Sequence, residues 1–220
     1  MNYFQWSSWI VGLVLQYLVT LALLAGPFRQ FTVIFAYLLC LIVTTLTDIL
    51  MSFDLGNLSA IYYRYYWTAD LLRESALYAV VISLVLHAMP SSRRRAALLR
   101  LLIAVAILFW IGSVLVYQEH NINRWMVKVV RNLSFCSAVA TLILWFVLIA
   151  SEKRDTRLLV ITGGLGLQMT GEAIGQSLRQ ISKQTQWFGV LTMILAHFLC
   201  LYIWWRAFRS PPEPITSGTA

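Results

Sequence analysis

Long runs of apolar residues without a single charge recur along this chain of 220 residues. Residues 9–26, 31–47 and 187–205 are three such runs. A helix needs about 20 apolar residues to cross the hydrocarbon core of a bilayer, and these runs are close to that length. A soluble chain carries roughly 25% charged residues, whereas this one carries 12% and is 60% hydrophobic. The sequence therefore predicts an all-α integral membrane protein.

The placement of Lys and Arg sets the number and direction of the predicted spans. The third and sixth spans are weaker than the others because they contain acidic residues. With all seven spans and an outer N-terminus, the basic cluster Arg93–Arg95 and the basic loop 152–157 both lie on the inner side, where short loops usually carry the excess of Lys and Arg. We therefore predict a seven-transmembrane helix bundle in the cell membrane, with its N-terminus outside and its C-terminus in the cytoplasm. The predicted multi-pass spans lie at about 9–26, 31–51, 69–89, 96–117, 127–150, 158–178 and 187–207.

The two ends of the chain and its longest loop have simple interpretations. The first basic residue is Arg29, so the N-terminal segment lacks the positive start of a signal peptide and is predicted to be a retained helix. Residues 1–209 are predicted to form one domain, and residues 210–220 a disordered cytoplasmic tail. The aromatic residues of the predicted outer loop 52–68, together with Trp6 and Trp9, are interpreted as anchors at the membrane interface.

Charged and polar residues inside the predicted spans are the main functional signal. A charge at membrane depth costs several kcal/mol unless it is paired or hydrated. These residues share helix faces: Thr44 and Asp48 are four apart on the second span, and Asp70 and Glu74 are four apart on the third. Most fall in the outer half of the predicted bundle. The candidate residues for a ligand site or a buried polar network are Asp48, Asp70, Arg73, Glu74, Arg131, Asn132, Gln168, Glu172, Gln176 and His197.

Two interpretations of this set stay open. In the first, four acids and four bases form a self-neutralising network that locks the helices together, with Glu172 paired to Arg73 or Arg131. In the second, the residues line an outward-facing pocket for a small polar ligand. The two are compatible, because charged networks often wall pockets. The acids are Asp48, Asp70, Glu74 and Glu172, and the bases are Arg73, Lys128, Arg131 and Arg179.

Glycines in the sixth span predict close helix packing. Gly171 and Gly175 form a small-xxx-small pair, which lets a neighbouring helix approach closely. The glycine-rich segment does not end in Gly-Lys-Ser or Gly-Lys-Thr, so it is not a phosphate-binding loop.

Several function classes lack their sequence signals. The seventh span has no Lys for a retinal Schiff base. His87 and His197 differ in predicted depth by roughly 10 Å at 1.5 Å per residue, which disfavours a bis-His haem. Cys40, Cys136 and Cys200 are widely spaced and are interpreted as packing residues. The sequence thus predicts no cofactor, metal or catalytic set, and an enzyme is the least favoured reading.

The predicted function is a receptor-like or sensor-like module with a polar, outward-facing intrahelical pocket. Its expected partners are membrane lipids, a small polar ligand from the outer side, and a cytoplasmic or membrane protein. Nucleic acid is not expected, because the basic residues form no stripe on a separate domain. The alternative is a transport subunit, or an accessory or structural subunit of a membrane complex. The sparse polarity of the inner half disfavours a continuous transport route.

Overall fold

A computed structural model describes residues 3–54, 60–88, 122–150 and 156–209, and separate residues between 96 and 111. Within these residues every regular element is a helix, which confirms the predicted all-α class. The described residues between 96 and 111 are helical and belong to a segment numbered α4, which is described only in part. The other helices are α1 (Tyr3–Ala25), α2 (Thr32–Asp54), α3 (Ala60–Ala88), α5 (Ile122–Ala150), α6 (Thr156–Ile181) and α7 (Lys183–Arg209).

Five of these helices are long and apolar enough to cross a membrane. α5 adds a shorter apolar stretch, Asn132–Phe146, among its described residues. The predicted membrane protein is therefore supported, while the seven-span count and the orientation stay predictions. Most of the predicted span 96–117 and the whole tail 210–220 lie outside the described residues. The membrane-length segments are Trp6–Ala25, Thr32–Met51, Thr68–Ala88, Thr156–Arg179 and Thr185–Arg209.

The outer faces of the helices are apolar. Leu50 on α2 is 64% exposed and Phe146 on α5 is 71% exposed. Soluble proteins rarely display large continuous apolar surfaces to water. A surface of this kind is suited to contact with lipid chains, in agreement with the length of the helices.

The fully described helices pack as a ring around a common centre. In this ring α1 contacts α2 and α7, α2 contacts α3, and α3 contacts α5. α5 contacts α6, α6 makes its most extensive contact with α7, and a small contact between α3 and α6 crosses the ring. Each of these helices thus has one face toward the interior.

The α6–α7 contact is close because glycines line it. A Cβ atom added to Gly171 would lie 2.2 Å from the Cβ of Ala196. One added to Gly175 would lie 2.3 Å from Met193 Cγ, and one added to Gly189 would lie 2.6 Å from the carbonyl oxygen of Gly175. Larger residues would push the two helices apart at these points.

The two ends of the bundle differ in chemistry. At the end where α2 begins and α7 finishes, the interior is filled by apolar side chains, including Leu38, Leu84 and Trp204, each no more than 1% exposed. The indole Nε1 of Trp204 donates a hydrogen bond of 2.9 Å to the carbonyl oxygen of Ile161 on α6. The buried acidic residues Asp48 and Glu74 lie toward the other end of the bundle.

The connection between α2 and α3 is shorter than the predicted loop 52–68. α2 continues to Asp54 and α3 begins at Ala60, because helix formation does not stop where the apolar pattern does. Tyr65 and Tyr66 therefore lie on α3, and the hydroxyl of Tyr65 donates a hydrogen bond of 3.1 Å to the carbonyl oxygen of Thr44 on α2. Both residues also make contacts inside the bundle, and their interpretation as membrane-interface anchors stays a prediction.

Candidate functional site

A cavity of about 380 Å³ lies between α1, α2, α3, α6 and α7 at the polar end of the bundle. Its lining runs from the first half to the middle of α1, α3 and α7 and from the middle to the second half of α6, and on α2 it extends from Tyr37 to Asp48. Its walls combine carboxyl groups, aromatic rings and aliphatic side chains. The lining residues are Ser8, Trp9, Gly12, Gln16, Tyr37, Leu41, Thr45, Asp48, Tyr66, Asp70, Arg73, Glu74, Leu77, Gln168, Glu172, Val190, Met193, Ile194, His197 and Phe198.

The cavity brings together seven of the ten candidate residues predicted from the sequence. Asn132 on α5 and Gln176 on α6 are partly buried and do not line it. The side chain of Arg131 lies outside the described part of the chain. The seven that line the cavity are Asp48, Asp70, Arg73, Glu74, Gln168, Glu172 and His197.

Arg73 joins α3 to α2 through two contacts. Its Nη2 forms an ion pair with Oδ2 of Asp48, and its Nε donates a hydrogen bond of 2.8 Å to the hydroxyl of Thr44. Thr44 and Asp48 are four residues apart on one face of α2, so they present two acceptors to the fork of one guanidinium group. Arg73 therefore pairs with Asp48 and not, as one sequence hypothesis held, with Glu172.

Glu172 on α6 and Glu74 on α3 form a second polar group in the lining. Nε2 of Gln168 donates hydrogen bonds to Oε1 of Glu172 at 3.0 Å and to the hydroxyl of Tyr37 at 3.4 Å. The carboxyl group of Glu74 lies near that of Glu172 and near the hydroxyl of Ser134 on α5. Two neighbouring carboxyl groups repel each other when both are ionised, so the pair requires a proton or a positive charge between them.

The lining of the cavity is unbalanced in charge. It contains the carboxyl groups of all four predicted acids but, of the four predicted bases, only the guanidinium of Arg73. Arg179 is exposed, and the side chains of Lys128 and Arg131 lie outside the described residues. The described cavity walls are thus acidic, while the evenly balanced network stays a prediction, because the side chains of two of its four bases lie outside the described residues.

Several buried oxygens of the cavity residues have no hydrogen-bond donor among the described residues. They are Oε1 of Gln16, Oδ1 of Asp48, Oε2 of Glu74 and Oε2 of Glu172. Gln16, Asp48 and Glu74 are only 3%, 7% and 8% exposed. A buried acceptor without a donor costs about 1–3 kcal/mol. All four residues line the same cavity. A hydrogen-bond donor bound in this cavity would therefore stabilise the protein by satisfying these oxygens.

Tyr66 adds a neutral donor at the edge of the cavity. It precedes the apolar stretch of α3 that begins at Thr68. Burial raises the pKa of the Tyr66 hydroxyl, and the nearby carboxyl group of Asp70 raises it further. The hydroxyl therefore keeps its proton at neutral pH.

Sequence reasoning missed the aromatic part of the site and the buried polar residue Gln16 on α1. Trp9, Tyr37, Tyr66 and Phe198 line the cavity, yet an aromatic residue in a membrane helix does not by itself indicate which way it faces. Gln16 carried a usable signal, since it is an uncharged polar side chain within the apolar run 9–26. A polar residue inside a span is a candidate functional residue by default.

No family model, curated protein or solved structure matches this chain. In the described part of the chain, no three His, Cys, Asp or Glu residues are placed to hold a metal ion. The fold and the cavity therefore define the class: an all-helical, membrane-embedded protein with an acidic internal cavity at one end of its bundle.

Proposed function

We propose that this chain is a receptor-like or sensor-like membrane protein that binds a small polar ligand in the cavity between α1, α2, α3, α6 and α7. The observation that carries the proposal is the convergence of residues from five helices on one cavity of about 380 Å³. Small-molecule sites are concave, mostly apolar and fitted with a few convergent polar groups. The distribution of Lys and Arg supports an outward-facing mouth, with the Arg93–Arg95 cluster in the cytoplasm.

The apolar half of the bundle favours a receptor over a transport route. Beyond the cavity the interior is closed by Leu38, Leu84, Leu165, Leu201 and Trp204, each no more than 1% exposed. A transport path needs polar groups or water along its whole length. Ligand binding at one end and a cytoplasmic partner at the other require only that the packing of the helices changes when the cavity fills.

Cysteine accessibility tests the proposed pocket. Leu77 and Val80 on α3 are both buried, 2% and 0% exposed, but Leu77, one turn after Arg73, lines the cavity and Val80 does not. In a background without Cys40, Cys136 and Cys200, Leu77→Cys should react with a membrane-impermeant thiol reagent added from the outer side. Val80→Cys is the matched control and should stay protected.

The same reagent applied to inside-out vesicles, whose cytoplasmic side faces the medium, tests the side of the membrane to which the cavity opens. Reaction of Leu77→Cys from the outside supports the outward-facing pocket, and reaction only from the cytoplasmic side overturns the orientation. If a correctly folded Leu77→Cys protein is as unreactive as Val80→Cys from both sides, the cavity is sealed. The receptor proposal then fails, and a structural subunit becomes the better explanation.

A further inference from the structure

We infer that the cavity binds an organic cation, a small ammonium ion with an apolar body, whose nitrogen lies between Glu74 and Glu172. The inference rests on the proposed function, because it specifies the ligand class of the same cavity. It begins from the unsatisfied oxygens of Gln16, Asp48, Glu74 and Glu172, all of which line the cavity. Carboxylate oxygens only accept hydrogen bonds, so the missing partner must be a donor.

The charge of the cavity lining indicates that the missing hydrogen-bond donor is a cation. Among the described residues, the cavity lining holds four carboxyl groups and one guanidinium group, and that guanidinium is already bound to Asp48 and Thr44. Glu74 and Glu172 lie near each other and have no Arg or Lys partner among the described residues. A positive charge between them would neutralise their repulsion and donate to both Oε2 atoms. An anion would add to the repulsion.

The rest of the lining indicates an organic cation in preference to a metal ion. No group of three metal-ligating side chains is present in the described residues. The rings of Trp9, Tyr37, Tyr66 and Phe198 line the cavity, and aromatic faces attract ammonium groups. The aliphatic residues Leu41, Leu77, Val190 and Ile194 complete the wall. An apolar body attached to the ammonium group would contact them.

Binding is tested with the full chain purified in a neutral detergent and phosphate buffer, since amine buffers would compete. The probes are methylammonium, butylammonium and phenethylammonium, with 2-phenylethanol and phenylacetate as neutral and anionic counterparts of the last. Each is titrated while the thermal unfolding midpoint is followed. At least one ammonium probe should raise the midpoint steadily with the logarithm of its concentration. The neutral and anionic counterparts should not.

Variants locate the site. Glu74→Gln and Glu172→Gln keep the size of the side chains and should weaken binding of the ammonium probe at least tenfold. Ser75→Ala and Ser177→Ala are the matched controls, because both hydroxyls are exposed and bond only to their own helices. Gly12→Leu leaves every carboxyl group in place but fills the cavity, since a Cβ there meets only Phe198 at 3.5 Å. It should also abolish binding.

The possible results separate this inference from the proposed function. Equal binding of 2-phenylethanol or phenylacetate overturns the cation assignment while the pocket stands. Failure of all three ammonium probes, with Leu77→Cys still reactive from outside, also overturns it and indicates that water or a proton occupies the space between Glu74 and Glu172. Failure of every probe together with a protected Leu77→Cys overturns both proposals. If the ammonium probe still binds both the Glu172→Gln and the Gly12→Leu variants, it binds outside the cavity, and the inference is wrong.

Discussion

Gly171 on α6 lies directly against Ala196 on α7, so closely that a Cβ at position 171 would be 2.2 Å from the Cβ of Ala196. Each of these residues precedes a residue of the cavity, since Glu172 follows Gly171 and His197 follows Ala196. The close approach of the two backbones therefore fixes the separation of two cavity walls. Packing and site geometry are coupled at this point.

The first prediction concerns this contact. Gly171→Ala should lower the free energy of unfolding by about 1–3 kcal/mol, because the added methyl group overpacks the α6–α7 interface. Gly166→Ala is the control, since its Cβ would meet only Thr141 Cγ2 at an ordinary 3.7 Å. Unfolding in mixed micelles of a neutral detergent and dodecyl sulfate measures both. Equal stability of the two variants would contradict the contact.

The second prediction concerns the ion pair between α2 and α3. Arg73→Ala should destabilise the bundle by roughly 3 kcal/mol, because it leaves the buried carboxylate of Asp48 without its cation. Asp48→Asn should cost less, since an amide can still accept a hydrogen bond from Arg73. The double variant Arg73→Ala/Asp48→Asn should be more stable than the sum of the two losses predicts.

A double-mutant cycle measures that difference as a coupling energy. The control cycle combines Arg73→Ala with Ser177→Ala, an exposed hydroxyl on α6 that bonds only to its own helix. Strictly additive losses in the Arg73–Asp48 cycle would show that the two side chains do not interact in the folded protein.

The third prediction concerns the apolar end of the bundle. Trp204→Phe should cost about 1–3 kcal/mol, because it removes the hydrogen bond to the carbonyl oxygen of Ile161 and leaves a small void at a fully buried site. Trp205→Phe should cost less than about 0.5 kcal/mol, since Trp205 is only partly buried. Thermal unfolding of the two purified variants separates them, and a larger loss for Trp205→Phe would refute the placement.

The sequence carried the helical class and most of the candidate residues but not their partners. Apolar runs of membrane length are a one-dimensional property, so helices such as α1 and α7 were visible directly. Likewise, Asp48 and Glu74 were noticeable because charges are costly at membrane depth. Which base meets which acid depends on the rotation and register of each helix. That information is three-dimensional, and Arg73 accordingly pairs with Asp48 and not with Glu172.

The inward-facing aromatic residues also show that the sequence alone does not indicate which way a side chain on a helix faces. Trp9 and Tyr66 were interpreted as anchors, because aromatic rings near the end of a span usually lie at the headgroups. Both line the cavity. The hydropathy pattern also could not show that α3 begins at Ala60, since a helix can extend past the apolar segment that marks its span.

The fourth prediction concerns Gln168, the donor that serves both Glu172 and Tyr37. Gln168→Leu should destabilise the protein by about 1–3 kcal/mol, because Oε1 of Glu172 loses its donor at 3.0 Å in a buried setting. Tyr37→Phe should cost about 0.5–1 kcal/mol, since it removes only the longer bond of 3.4 Å. Gln168→Glu should be the most harmful of the three, as it replaces the donor by a third carboxyl group.

Removal of both partners tests whether the cost arises from the stranded carboxyl group. The double variant Gln168→Leu/Glu172→Leu should recover part of the stability lost in Gln168→Leu, because replacing both members of a buried polar pair by apolar groups is much cheaper than removing one. The same variant should lose binding of the ammonium probe, since Glu172 is then absent. If the double variant is less stable than Gln168→Leu, the carboxyl group of Glu172 has another stabilising partner, and the donor role of Gln168 is refuted.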